Sequence, residues 1–501
     1  MTQKNILFLF TDQQRHDTIA ALGNPMIKTP VLDRLVESGI SFTRAYSPCP
    51  VCVPARFSLH TGQLPHRTDC VINERMPEGH RSFMELLADQ GYQTHGVGKM
   101  HFNFRDKPTS TLWGFESRDV SEEGGPRDDF KIFLEENGYE HVHDPQGVRS
   151  EYYYIPQPSQ LPERLHNTTW VTDRSIDFLK QRDQERPFML MTSYIKPHPP
   201  FETPTPWNKL YRGPEMPLPK RPQESEKLIS YWNRFQNRYK GRDQGIDDNL
   251  MRVMKAAYYC TISFIDYQIG RLLSYMEENG LLENTLIVFS SDHGEMLGDY
   301  NCVGKRNFLD SGARVPLIVV DPNGPRGQRC EKPVSLVDIM PTFLQAAGTK
   351  SETPLSGESL LDIANGTVKR EWIAAQYHRN DYGMYMAVSD RFKYIYSAPD
   401  DKEWLFDLKV DPDETRNRAG NPMYLEQTEQ MKKDLIAFFK DEGYTAPIDG
   451  DDWIRYPKQS IPEDPDEMLL FQDTQSSIPN IPGYERNNPK PTAKMKFKVG
   501  F

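Results

Sequence analysis

The chain has 501 residues, 26% of them charged and 37% hydrophobic, enough to bury a large core over a few domains and too apolar for a disordered chain. Its net charge of -11 argues against a general binder of nucleic acid or of membrane surfaces, and no apolar run is long enough to span a bilayer. Six cysteines in this length make no disulfide framework and fit a reducing compartment.

Met1-Thr2-Gln3-Lys4 leads directly into Ile6-Leu7-Phe8-Leu9-Phe10. This run is too short for a secretion signal and lacks a small-residue cleavage site, so the chain as given is expected in the cytoplasm, or in the periplasm if an export signal has been trimmed. Its continuous apolar character is that of a strand covered on both faces of a parallel sheet. A helix is predicted over Pro30–Ser38, with Thr29 as its cap.

Next comes Cys49-Pro50-Val51-Cys52-Val53-Pro54-Ala55-Arg56. Pro54 suits a first helical position, with Cys52 and Val53 as a stretched lead-in. Cys52 then stands at the mouth of a helix N-terminus, where free N–H groups favour an anion, and Arg56 adds a permanent positive charge one turn in. A lone cysteine is commonly a small buried hydrophobe. Cys49 and Cys52 also have the spacing of a redox pair or of half a zinc site, though no second cysteine pair exists to complete the latter.

A short helix over 82–91 and a strand over 93–97 follow. Residues 105–169 read as irregular insertions walling a pocket. Residues 187–194 form a buried strand ending at Lys196-Pro197-His198, and 247–280 a long amphipathic helix. The strand 286–291 runs into Asp292-His293-Gly294-Glu295, and a strand at 315–320 and a helix at 335–347 complete a β/α alternation. The fold class expected is α/β, a large, mostly parallel, doubly wound sheet flanked by helices, occupying residues 1–369. Paired antiparallel strands at 382–387 and 391–396, followed by the stretch 404–408 and a helix at 424–441, predict a smaller α+β unit over 370–447. The Pro-rich residues 448–501 read as an extended arm over the surface or a neighbouring subunit, a route to a homo-oligomer.

Ligand crevices in open α/β sheets lie at the carboxyl ends of the strands. Asp12, Lys99 with His101, His198, and Asp292 with His293 all sit just after predicted strands, which points to one composite site. Asp12, Asp292 and His293 suit a divalent cation, although an aspartate in such a position is singly more often a helix cap, and His198 alone a loop histidine.

The Cys52-x-Pro54-x-Arg56 pattern followed by Thr61-Gly62 resembles the signature of the sulfatase family, of the alkaline-phosphatase-like superfamily. Val53 and His60 depart from the small and aliphatic residues usual there. Gly91-Tyr92-Gln93-Thr94-His95-Gly96-Val97-Gly98-Lys99-Met100-His101 is similar to the family's second signature; on a strand, Lys99 and His101 would share a face. His198 and Lys305 also match family positions, and the resemblance spans about 5–417.

The resemblance implies that a maturation enzyme oxidises Cys52 to formylglycine. It also implies one divalent metal held by Asp12, Gln13, Asp292, His293 and the converted Cys52. Gln13 stands where many members have a second aspartate and His293 where many have asparagine, which softens the site; calcium is the first expectation and manganese the second. The implied reaction is hydrolysis of a small-molecule or carbohydrate sulfate ester by in-line attack of the hydrated aldehyde. Lys99 and Lys305 would hold the sulfuryl oxygens, His198 or Lys305 protonate the leaving alcohol, His101 trigger breakdown of the sulfated intermediate, and Arg56 orient the diol. A phosphonate monoester or phosphodiester hydrolase using the same site is the nearest alternative. A noncatalytic anion- or glycan-binding protein and a Cys49/Cys52 redox protein are others. The alcohol part of the substrate has no readable code.

Overall fold

A computed structural model describes residues 3–104, 107–108, 110–123, 128–149, 153–239 and 245–462. Eight strands form the central sheet: β1 (Asn5–Asp12), β2 (Ile40–Phe42), β3 (Gln93–Gly98), β4 (Ser117–Val120), β5 (Phe188–Pro197), β6 (Thr285–Ser291), β7 (Leu317–Val320) and β8 (Gln328–Cys330). Their order is β8-β2-β7-β6-β1-β5-β3-β4. The five strands from β6 to β4 are mutually parallel, and β7 runs antiparallel to both of its neighbours.

β1 lies in the middle, with Leu7 opposite Leu190 on one side and Ile287 on the other. Its side chains alternate between two cores, which is why the apolar run is unbroken. Ile6, Phe8 and Phe10 join Phe83, Met84, Ile339 and Phe343 on one face. Leu7 and Leu9 join Val31, Leu35, Trp170, Val171, Ile265, Ile269 and Leu272 on the other. Helices Pro30–Ser38, Asn167–Gln181 and Asp248–Glu278 therefore cover one face, and Phe83–Asp89 with Ile339–Ala346 the opposite one. This is the doubly wound α/β arrangement that the strand–helix alternation implies.

Two local expectations are corrected. The 315–320 stretch is split: Arg314–Val315 pairs with Ala45–Tyr46 in a separate small sheet, and only Leu317–Val320 enters the central one. Pro316 divides them because it has no N–H to give a ladder. Within 105–169, β4 and a helix over Asp129–Glu136 are regular. β4 is an edge strand, where the polar Ser117, Arg118 and Asp119 hid the pattern. The helix is capped by the Asp128 carboxylate, which accepts the Lys131 N–H, and it buries Phe130 and Leu134 one turn apart.

Beyond residue 370, strands Trp372–Tyr377, Met384–Ser389, Phe392–Ser397 and Lys402–Asp407 form a four-stranded antiparallel sheet. One face carries the helix Leu425–Asp441, and the other packs Met386, Ile395 and Trp404 with Tyr46, Trp232 and Phe308. Trp453 completes the helical side, its ring stacked against Tyr385 and Tyr396 with centroids 5.0 Å away in each case. Residues 463–501, most of the expected arm and its oligomer contact, lie outside the described residues. Among the described residues, no helix is long and apolar enough to cross a membrane.

Candidate active site

Four strands of the central sheet deliver the site at their carboxyl ends. β1 ends on Asp12, β3 on Gly98 just before Lys99, β5 on Pro197 just before His198, and β6 on Ser291 just before Asp292 and His293. The fifth contribution comes from the helix Cys52–Thr61, all ten residues of which are buried. It starts at Cys52 itself, with Pro54 third in the helix and not first. A proline costs little at either position, because the first four N–H groups have no partner within the helix. The Val53 N–H is met by Asn73 Oδ1 at 3.1 Å.

Lys99 and His101 do converge on the site, but not by strand alternation. The strand stops at Gly98, whose φ is +88°, and His101 adopts a left-handed φ of 56°. The loop is pinned instead by Glu122, whose Oε1 accepts the N–H groups of Met100 at 3.1 Å and His101 at 2.9 Å. Gly98 is required for this path: besides its φ, a Cβ there would fall on the Ser193 carbonyl oxygen. Gly98→Ala is expected to cost about 1–3 kcal/mol in urea unfolding and to lower kcat/KM by displacing Lys99. Unchanged stability and activity would remove this constraint.

The Cys52 sulfur is the point of convergence. Lys305 Nζ lies 2.9 Å from it, His293 Nε2 3.3 Å and Asp12 Oδ1 3.8 Å. Burial opposes ionisation, but Lys305, Lys99 and His293 hold the Cys52 thiol well below its ordinary pKa. Cys49 differs: burial pushes its thiol far up, and it donates to the Val71 carbonyl at 3.4 Å. All six cysteines are free, and the two thiols of the Cys-x-x-Cys pair have separate partners.

Arg56 organises the carboxylates. Fully buried, it places Nε 3.0 Å from Asp292 Oδ2 and Nη2 3.1 Å from Asp12 Oδ2. Nη1 donates to the Lys99 carbonyl at 2.8 Å, and the guanidinium lies 5.0 Å over the Phe10 ring. Lys99 Nζ adds a second cation 2.6 Å from Asp12 Oδ2. Burial and Cys52 push Asp12 up, yet Lys99, His198 and Arg56 bring it down to about 2. Asp292 moves the other way, raised by burial and by Asp12 despite His293 and Arg56. Two carboxylates sharing too little positive charge behave in this manner.

One ligand atom from each of Asp12, Cys52, Asp292 and His293 falls within 4.8 Å of the others, a cluster that can hold a metal ion. Its donor chemistry fits a divalent cation. Asp12 turns Oδ2 to Arg56 and Lys99 and leaves Oδ1 facing the cluster. His293 Nδ1 lies 3.0 Å from the Gly294 carbonyl, so Nδ1 carries the proton and the Nε2 lone pair points inward. The Gln13 amide oxygen accepts from Lys305 Nζ at 2.9 Å, its amide nitrogen donates to Glu295, and its N–H donates to Asp292 Oδ1 at 2.9 Å.

Three site residues escaped the sequence reading. Glu295 holds Gln13 and could have been suspected from its place beside Asp292-His293-Gly294. Tyr153, whose hydroxyl is 3.4 Å from His198 Nε2, carried no signal. Glu123, three residues beyond β4, was hidden with that strand.

Comparisons with known proteins show the family. The sulfatase family profile matches residues 4–349, and that of the N-sulphoglucosamine sulphohydrolase C-terminal region matches 298–441. The chain belongs to the sulfatase family. It is an arylsulfatase-like hydrolase of the alkaline phosphatase superfamily. It is 30% identical over 490 residues to the arylsulfatase of Clostridium perfringens, covering 91% of this chain and 98% of that one. In fold it matches the phosphonate monoester hydrolase of Agrobacterium radiobacter with a TM-score of 0.77 at 24% identity, over 88% of this chain and 96% of that one. A protein solved in complex with its substrate D-glucosamine-2-N,6-O-disulfate matches with a TM-score of 0.71 at 23% identity, over 88% and 98%.

Proposed function

We propose that this protein hydrolyses sulfate monoesters, using Cys52 after its oxidation to formylglycine. The observation that carries the reading is the convergence of Lys99, His198 and Lys305 around a buried Cys52 beside the Asp12–Asp292–His293 cluster. A sulfuryl group offers three peripheral oxygens, and preorganised cations in a water-poor site stabilise the charge that gathers on them during transfer. The oxidised side chain at position 52 supplies the nucleophile, and a divalent cation held by Asp12, Asp292, His293 and residue 52, with Gln13 alongside, supplies Lewis acidity. Calcium is the proposed ion, with manganese second because of the imidazole donor.

The chain's own residues then have distinct tasks. Lys99 and Lys305 hold the sulfuryl oxygens, and Arg56 keeps Asp12 and Asp292 ionised and fixed. His198, lowered in pKa by burial and restrained by Glu123 and Tyr153, stands where a proton can pass to the leaving alcohol. His101, whose Nδ1 has no partner among the described residues, takes the proton that releases sulfate. The substrate class is proposed to be sulfated small molecules or sugars.

The test is a peptide mass for Cys52 after coexpression with a formylglycine-generating enzyme, then rates on an aryl sulfate and on a phenyl phosphonate. An aldehyde with dominant sulfate turnover is expected, lost with a chelator by about 100-fold or more and restored by a divalent cation. Dominant phosphonate turnover would reassign the reaction while keeping the site. A thiol persisting where a control sulfatase is converted would leave the protein without a nucleophile and favour a noncatalytic binding role.

A further inference from the structure

In the reaction set out above Glu123 only restrains His198, yet it stands inside the site and touches Lys99 as well. Its side chain is 13% exposed; Oε1 lies 2.8 Å from Lys99 Nζ and 3.1 Å from His198 Nδ1, and Oε2 lies 3.3 Å from Arg149 Nη1. Its neighbours aim it there. The Glu122 carboxylate holds the Met100 and His101 N–H groups, and the Glu122 N–H donates to Asp128 Oδ2 at 2.9 Å. The loop that fixes Lys99 therefore also delivers a carboxylate to it.

Lys99 and His198 are two of the groups that a sulfate ester needs, a cation and a hydrogen-bonding imidazole. A carboxylate oxygen shared between them occupies the place that one oxygen of a sulfate would take. Two anions sheltered from water cannot share that place, because like charges in contact repel strongly at low dielectric. Burial would push the Glu123 carboxyl up, but His198, Lys99 and Arg149 hold it well below the usual carboxylate range, so it is an anion.

We propose that Glu123 is a resident counter-anion of Lys99, competing with the sulfuryl group of the substrate and with product sulfate for Lys99 and the His198 imidazole. The proposal rests on the sulfate-ester reading of the site. In the empty site Glu123 keeps the cations balanced. An arriving ester displaces it toward Arg149, whose guanidinium is stacked 4.9 Å over the Tyr153 ring and offers the carboxylate a second resting place. Ground-state binding is weakened, and the returning carboxylate helps to expel sulfate, so binding energy is kept for the transition state.

The test is calorimetric titration of inorganic sulfate into the converted, metal-loaded protein, alongside the inhibition of aryl sulfate turnover by sulfate. Glu123→Gln is expected to tighten sulfate binding and inhibition by about tenfold or more, and Glu123→Asp to stay within about threefold of wild type. Arg149→Met removes the outer resting place and is expected to weaken sulfate binding by about threefold or more, the opposite sign. Sulfate binding that is unchanged or weaker in a folded Glu123→Gln protein overturns the proposal; should that variant not fold, tighter or unchanged binding by Arg149→Met overturns it. Binding needs no turnover, so these shifts in a protein that cleaves no sulfate ester would refute the reaction and leave the counter-anion standing.

Discussion

Cys52→Ala is expected to reduce sulfate ester turnover by on the order of 10⁴-fold or more while leaving the fold intact. The sulfur is the one atom toward which Lys305, His293 and Asp12 all reach, and none of these can replace an attacking group. What survives in the variant is a cage that binds the ester and stabilises charge, so a residual rate above that in water is expected from it alone. The substitution is structurally mild. Cys52 opens its helix, a position alanine tolerates, and it is 1% exposed with little volume to lose. The measurement is kcat/KM on an aryl sulfate in converted, metal-loaded protein, with the urea midpoint as control. Retention of more than about 1% of the wild-type value would take the nucleophile away from position 52.

Arg56→Met is expected to be the most destabilising single change in the site, costing about 3–5 kcal/mol in metal-free protein. Among the described residues the guanidinium is the one permanent cation that pairs with both Asp12 and Asp292, and all three side chains are 0% exposed. Its removal leaves two buried carboxylates sharing Lys99 and His293, and burial already raises Asp292 with Arg56 in place. A divalent cation supplies positive charge to the same carboxylates and stabilises the state that binds it by mass action. Saturating calcium should therefore recover more stability in the variant than in wild type. The experiment is urea unfolding of both proteins with a chelator and with calcium. A loss under about 1 kcal/mol, or an equal metal response in the two proteins, would show that Arg56 does not compensate these carboxylates.

The part of this site legible in the sequence is the part encoded locally. Unbroken apolar runs such as Ile6–Phe10 identify strands buried on both faces, and the residues that follow them must lie at one edge of the sheet. That reasoning placed Asp12, Lys99, His198 and Asp292 together although they are far apart in the chain. The Cys52-x-Pro54-x-Arg56 spacing likewise needs only a helix start to bring thiol and guanidinium near each other.

Other features depended on distances between segments with no sequence relation. Glu123 was missed because its strand is a polar edge, where one open side removes the pressure for apolar alternation. Lys99 and His101 reached the site for a reason other than the one expected, since Gly98 ends the ladder and Glu122 from the next strand's end pins the turn. Gln13 can be recognised from sequence as standing in a metal-site position, but its actual partners, Lys305 and Glu295, come from a loop nearly 300 residues away. Sequence by itself determined which backbone segments become strands and helices, and hence which edge of the sheet carries chemistry. Only the tertiary structure decided how the buried charges are divided among one another, because Coulomb energies at low dielectric turn on ångström separations that no local pattern encodes.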